Sequence, residues 1–158
     1  MDTLKITDCL LASTNVKNFT EKNERLPNYV TIAGKNYSME QYMYISSNLL
    51  LAISIAGFNS VASVIKKVKV DTPKITPIKA NIDKITFFDM NERVYRFFME
   101  NNKAPSYVSS KYGDVQYQAY IYSNSKILNY YRVHKVIPNY VSLNLAKNSR
   151  ILTYLPKY

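Results

Sequence analysis

A five-residue motif recurs three times along this chain, and the repetition constrains the fold more than any other feature. The copies are Leu26-Pro27-Asn28-Tyr29-Val30, Ala104-Pro105-Ser106-Tyr107-Val108 and Ile137-Pro138-Asn139-Tyr140-Val141. A recurrence of this kind indicates a repeated structural unit that is stable only when packed against its neighbours. Repeats give a chain several similar binding surfaces, whereas a catalytic site is usually built once.

Each copy of the motif follows a stretch with helical periodicity. Two apolar residues three positions apart lie on one face of a helix. These pairs are Val16 and Phe19, Val94 and Phe97, and Ile127 and Tyr130. The proline of the motif then biases the residue before it away from helical backbone angles. Each unit is therefore predicted to be a helix followed by a short extended segment.

Capping signals predict where two of the helices begin. Ser38 and Gln41 have the spacing of a capping box, in which the hydroxyl and the amide each satisfy a free backbone donor. Asp89 and Glu92 give a similar signal before a helix predicted at Glu92–Lys103.

Composition favours a mainly α fold with little or no β-sheet, in which helix–turn–helix repeats pack in two lobes. Apolar residues make up 47% of the chain, and it holds only 3 Gly and 6 Pro. The predicted organisation is a first repeat lobe at 1–66, a Pro- and Lys-rich linker or crossover at 67–86, and a second lobe at 87–158. The uncharged stretch 42–65 is predicted to be a buried helix, because its strongly apolar part is too short to span a bilayer.

The net charge of +10 and the 15 tyrosines indicate binding rather than catalysis. A basic chain usually has an acidic partner, and tyrosine offers a flat apolar face with a hydroxyl at its edge. Nucleic acid is one possible partner, but the lysines are scattered and form no continuous basic groove of the kind that single-stranded nucleic acid needs. A structural or assembly module is the other alternative that the repeats permit.

No catalytic, metal-binding or cofactor-binding pattern is present in the sequence. The chain has one cysteine and one histidine, Cys9 and His134, and Cys9 lies in an apolar helical context where a buried, inert thiol is expected. There is no cluster of His and Cys, no acidic calcium loop and no glycine-rich phosphate loop. We therefore expect no enzyme activity and no cofactor.

The repeated pattern resembles the pseudomurein-binding repeat. In the first copy the resemblance is carried by Val16, Phe19, Asn23, the motif itself, Tyr37, Ser38, Gln41 and Tyr42. It implies a non-catalytic module that attaches proteins to pseudomurein, the cell-wall polymer of certain methanogenic archaea. The bound element would be the glycan, the peptide stem or both, and no nucleic acid partner is expected.

The family also occurs at the N-terminus of pseudomurein endoisopeptidases, cysteine peptidases that archaeal viruses use for lysis. This chain starts at Met1 without a signal peptide, so the resemblance implies a lysin made in the host cytoplasm and acting at the archaeal cell wall. The peptidase domain itself is not in this chain.

The candidate ligand contacts are side chains of the motif and tyrosines that follow it, which could hydrogen-bond to a ligand and stack on it. The alternative is that Pro and Val fix the turn while Tyr fills the gap between helices. The candidate ligand-binding residues are Asn28, Tyr29, Tyr37, Tyr42, Ser106, Tyr107, Tyr120, Asn139 and Tyr140.

Overall fold

The computed structural model describes residues 2–158, which form five helices and eight short strands. The helices are α1 (Ile6–Asn23), α2 (Met39–Ala56), α3 (Lys84–Asn101), α4 (Tyr117–His134) and the short α5 (Arg150–Thr153). The strands are β1 (Thr3–Lys5), β2 (Tyr29–Ile32), β3 (Lys35–Ser38), β4 (Val61–Ser63), β5 (Ile78–Asp83), β6 (Tyr107–Val108), β7 (Val115–Gln116) and β8 (Tyr140–Leu145).

The prediction of little or no β-sheet is wrong. About 50% of the chain is helical, as expected, but 20% is strand, arranged in four two-stranded antiparallel sheets. Strand β2 pairs with β3 and β1 with β4, while β6 pairs with β7 and β5 with β8. Six of the strands are four residues or shorter and carry too little alternation to be recognised, whereas the six-residue β8 alternates exposed and buried residues and could have been recognised.

Four strand–helix–strand units build the chain. Each of the helices α1 to α4 is 18 residues long, with a strand just before it and another after it. Three of these helices end at a residue in the left-handed conformation, namely Glu24, Asn102 and Lys135. That conformation stops the helix and directs the chain into the extended motif segment.

The helices of the two halves pack against each other. Helix α1 lies mainly against α4, and α2 lies mainly against α3, so the first helix of each half contacts the second helix of the other half. Strand β5 occupies part of the segment predicted as linker, 67–86. The division into lobes at 1–66 and 87–158 stays a prediction.

A hydrogen-bond network ties three helices together at Tyr42. Its hydroxyl lies 2.9 Å from Ser13 Oγ on α1 and 2.9 Å from Ser125 Oγ on α4. Buried polar groups must find partners inside the protein, because an unmet group costs about 1–3 kcal/mol. The network thus fixes how α1, α2 and α4 meet.

The second half repeats this arrangement at Tyr120. Its hydroxyl donates to Asn91 Oδ1 on α3 at 2.6 Å and lies 2.7 Å from Ser47 Oγ on α2. Tyr42 and Tyr120 hold equivalent positions in α2 and α4, so the two halves are joined by a pseudo-symmetric pair of tyrosines.

Helix starts are only partly as expected. The capping box of Ser38 and Gln41 is confirmed at the beginning of α2. Helix α3 begins at Lys84, earlier than predicted, because Asp83 caps it by accepting from the Thr86 backbone N–H at 3.2 Å. No helix within residues 2–158 is long and apolar enough to cross a membrane.

Candidate ligand-binding grooves

The motif tyrosines are exposed, unlike the other three candidate tyrosines. Tyr29, Tyr107 and Tyr140 are 45%, 56% and 55% exposed. They lie at the start of β2, β6 and β8, and each pairs with the residue just before a helix. All three rings are therefore presented in the same backbone setting.

Three other candidates lie in the core. Tyr42 and Tyr120 are each 1% exposed and use their hydroxyls in the helix-packing network, and Tyr37 is also buried. Burial raises the pKa of Tyr42 to about 12. These three side chains have almost no surface on which a ligand can lie, so the structure separates them from the motif tyrosines.

Each motif tyrosine forms one wall of a groove whose other wall is a helix. Groove 1, between α1 and β2, has a volume of about 440 Å³; its lining includes Asn15, Val16, Phe19, Asn28, Tyr29 and Thr31. Groove 2, between α3 and β6, has about 300 Å³; its lining includes Arg93, Val94, Phe97, Ser106, Tyr107 and Ser109. Groove 3, between α4 and β8, has about 370 Å³; its lining includes Lys126, Ile127, Tyr130, Asn139, Tyr140 and Ser142.

The three grooves share four features. Each has an aromatic ring on the helix, the motif tyrosine on the strand, an apolar floor and small polar groups from the motif strand. Two aromatic walls with hydroxyl and amide groups at their edges suit a ligand with flat apolar faces and polar rims. A sugar ring has this character.

The fourth unit lacks both aromatic walls. In strand pairing Val61 opposes Lys5, the residue before α1, just as Tyr140 opposes Asp83, the residue before α3. Val61 thus takes the place of the tyrosine. On α2, Ala52 stands at the helix position that Phe19 holds on α1. The fourth unit keeps the fold without the aromatic pair, so the fold does not require that pair.

The grooves differ in where their cations lie. In groove 2 Arg93 Nη2 donates to the Ser109 carbonyl at 2.6 Å, and in groove 3 Lys126 Nζ donates to the Ser142 carbonyl at 2.6 Å. Groove 1 has the neutral Asn15 at the equivalent position, and its lining includes Arg25, whose Nη1 donates to the Leu26 carbonyl at 3.0 Å. All three grooves therefore carry a cation, which in groove 1 comes from the segment after α1 and not from the helix.

Residues 154–158 lie against groove 1. The Tyr154 hydroxyl donates to Asn28 Oδ1 at 2.6 Å, and the Lys157 backbone N–H donates to the same oxygen at 3.2 Å. The ring of Tyr158 lies 5.0 Å from that of Tyr29, centroid to centroid. Because Asn28 Oδ1 accepts both of these hydrogen bonds, the side-chain N–H groups of Asn28 are the part of its amide left for a ligand.

The sequence analysis missed some of the groove residues. Phe19, Phe97 and Tyr130 were interpreted only as the apolar face of a helix, yet they line the grooves. A second missed set follows the motif directly, as Thr31, Ser109 and Ser142. A hydroxyl residue after all three copies was a visible signal for a sixth motif position.

Residues 9–32 match the pseudomurein-binding repeat. The matched segment contains nearly all of α1 and the whole of β2, and with them every residue that lines groove 1. A comparison with curated proteins found no match. The resemblance drawn from the motif is thus confirmed for the first copy of the pseudomurein-binding repeat.

This binding-repeat family agrees with a non-catalytic chain, and the geometry of Cys9 points the same way. Cys9 is buried on α1, whereas His134 is exposed at the end of α4 with its ring 4.2 Å from that of Tyr130. Burial, with a smaller contribution from Asp8, raises the pKa of the Cys9 thiol to about 12. Only a thiolate is an effective nucleophile, so Cys9 is held in its inert form.

We expect the native protein to react with a thiol reagent such as DTNB hundreds of times more slowly at pH 8 than it does in denaturant, because a pKa about three units above that of a free thiol suppresses the thiolate about a thousandfold. The measurement is absorbance of released thionitrobenzoate, with and without urea. Equal rates in the two conditions would contradict the assignment of Cys9 as inert.

Proposed function

We propose that this chain attaches proteins to pseudomurein through three equivalent grooves. The single observation that supports it most is the coincidence of the matched repeat with the lining of groove 1, together with the same residue types around grooves 2 and 3. A polymer of repeating units fits an array of repeated sites. Linked weak sites gain apparent affinity by about 10²- to 10⁴-fold when geometry allows simultaneous contact.

The test is retention on purified pseudomurein sacculi, compared with bacterial murein, chitin and DNA-cellulose at low and at high salt. We expect retention on pseudomurein alone and little loss in high salt, because stacking and neutral hydrogen bonds are weakly screened. Retention on DNA-cellulose that falls steeply with salt would instead identify a nucleic-acid-binding module. Absence of retention on every matrix would favour the structural or assembly alternative.

We also propose that the module serves a pseudomurein endoisopeptidase of an archaeal virus, made in the host cytoplasm and acting at the archaeal cell wall. The support is the resemblance alone. The test is to fuse the chain to the catalytic domain of such a peptidase and follow the turbidity of a sacculus suspension. We expect faster lysis than with the catalytic domain alone, and an unchanged rate on a soluble peptide substrate.

Tyr154 is expected to strengthen groove 1 by fixing the amide of Asn28. In a variant that keeps only groove 1, with Tyr107→Ala and Tyr140→Ala, the further change Tyr154→Phe removes the 2.6 Å hydrogen bond. We expect about a two- to tenfold loss of affinity for pseudomurein, the usual value of one hydrogen bond. Binding isotherms on sacculi measure it.

The matched control keeps only groove 3, through Tyr29→Ala and Tyr107→Ala. There Tyr154→Phe should leave the affinity unchanged, since Asn139 forms no hydrogen bond with residues 154–158. An equal loss in both backgrounds would mean that Tyr154 acts through general stability and not through Asn28.

A further inference from the structure

A further cavity lies outside the three grooves. It has a volume of about 680 Å³, and its lining includes Lys35, Lys66, Lys67, Val64, Phe98 and Met99. We call it the lysine cavity. It lies between the turn of the β2–β3 hairpin, the segment after β4 and the end of α3, so both halves of the chain contribute to it.

The charge around this cavity is unbalanced. Lys35, Lys66 and Lys67 form none of the ion pairs of residues 2–158. Asp2 is the one carboxylate in the lining. Glu40 is close enough to Lys67 for that lysine to lower its pKa, but burial outweighs this and leaves the pKa of Glu40 raised. Like charges gathered around a concave surface raise the local potential, which attracts an anionic ligand.

The cavity is built on ordered backbone. The segment after β4 is tied to α2, because Gln41 Nε2 donates to the Ile65 carbonyl at 3.0 Å. Lys35 follows a tight turn in which Ala33 and Gly34 both have positive φ, 51° and 81°. The Nζ of Lys67 lies 4.3 Å from the ring centroid of Tyr158. Two of the three cations are thereby positioned by the fold and not only by loose side chains.

The wall between the lysines is apolar. Val64 and Phe98 are buried, and Met99 on α3 is 50% exposed although its side chain is apolar. A simple inorganic anion makes no use of such a wall. A ligand that carries carboxylates on an organic backbone uses both the cations and the apolar surface.

Tyr158 links the lysine cavity to groove 1. Its ring lies 5.0 Å from that of Tyr29, centroid to centroid, and its ring centroid lies 4.3 Å from the Nζ of Lys67.

We infer that the lysine cavity is a separate binding site for carboxylate-bearing ligands, of which an acidic peptide is the fitting class. A polymer lying in groove 1 can extend an acidic group into this cavity. That last connection rests on the proposed function, whereas the site itself does not.

The test uses a soluble probe, pentaglutamate, titrated into the full chain at low salt and followed by isothermal titration calorimetry and by NMR chemical shifts. We expect one site whose shifts centre on Lys35, Lys66, Lys67 and Met99. The variant Lys35→Gln/Lys66→Gln/Lys67→Gln should bind at least about tenfold more weakly, because each exposed ion pair contributes about a two- to fivefold factor.

The control variant is Lys74→Gln/Lys79→Gln/Lys147→Gln, which has the same net charge and changes exposed lysines elsewhere. It should weaken binding less than about threefold, since it alters only the long-range field that salt screens. Equal weakening by both variants, shifts spread over the whole surface, or no binding by the unaltered protein would overturn the inference.

Two further arms separate the ligand chemistry and the site. Inorganic phosphate should bind at least about tenfold more weakly than pentaglutamate, because pentaglutamate carries several linked charges and phosphate does not. Equal affinity would overturn the assignment to carboxylate ligands. Tyr29→Ala should leave pentaglutamate binding unchanged, and its loss in that variant would place the peptide in groove 1 instead. Because the probe is soluble, failure of the protein to bind pseudomurein would not affect these results.

Discussion

Replacing all three motif tyrosines with alanine is expected to abolish retention on pseudomurein, whereas each single replacement weakens it only in part. Tyr29, Tyr107 and Tyr140 each form the strand wall of one groove. A central tyrosine in a binding site typically contributes about 2 kcal/mol, which is a factor of roughly 30 in the affinity of that site. Losing all three also removes the gain from linked sites.

The measurement is the fraction retained on sacculi as a function of protein concentration. The fold is expected to survive, because each ring is about half exposed and the fourth unit does without one. Circular dichroism of the triple variant checks this.

The matched control removes three other exposed apolar side chains through Ile55→Ala, Ile85→Ala and Val133→Ala. It should bind as the unaltered protein does, since none of the three lines a groove. Normal retention by the triple tyrosine variant, or equal loss in this control, would contradict the proposed role of the grooves.

Replacing Tyr42 or Tyr120 with alanine is expected to have the opposite effect, damaging the fold rather than a binding site. Each ring is fully buried and each hydroxyl bridges helices from both halves. Truncating a large buried aromatic residue costs about 3–5 kcal/mol. A domain is stable by only about 5–15 kcal/mol, so either variant should be partly unfolded or melt at a much lower temperature.

The phenylalanine variants separate packing from hydrogen bonding. Tyr42→Phe and Tyr120→Phe keep the ring and lose the hydroxyl, so we expect a loss of about 1 kcal/mol each. Urea denaturation gives these differences directly. If Tyr42→Ala were as stable as Tyr42→Phe, the ring would not be part of the core as the structure describes it.

The raised pKa of Tyr42 predicts how the stability of the protein depends on pH. Burial raises the pKa of Tyr42 from its ordinary value of 10 to about 12. The contribution of Tyr42 to stability is therefore constant below about pH 10, and it is lost as pH rises from there through the folded pKa. Urea midpoints from pH 8 to pH 12 measure this loss, which should be smaller in Tyr42→Phe.

The sequence was sufficient to find the motif, the helix before it and the family. Val16 and Phe19 are three residues apart, and that spacing defines a helix face whatever surrounds it. The capping box of Ser38 and Gln41 is likewise a contact between neighbours in sequence. These features were predicted correctly because their physical cause acts over a few residues.

Most of the strands could not be predicted, since they are short and depend on distant partners. Strand β6 is two residues long and is stable only against β7, and β5 reaches its partner β8 across the whole of α3 and α4. A side-chain contact over a similar distance is made by Tyr112, whose hydroxyl donates to the Asp83 carboxylate at 2.7 Å. No pattern within a few residues of sequence indicates contacts between such distant residues.

The sequence by itself determined that units repeat, that three of them carry the Pro-x-Tyr-Val motif, and that the chain resembles a wall-binding family. Only the tertiary structure decided which tyrosines face solvent and which face the core. Tyr29 and Tyr42 were both candidate ligand contacts in the sequence, yet Tyr29 lines groove 1 and the hydroxyl of Tyr42 joins α1 to α4. The reason is physical: a side chain's burial depends on which helix packs above it, and that helix comes from the other half of the chain.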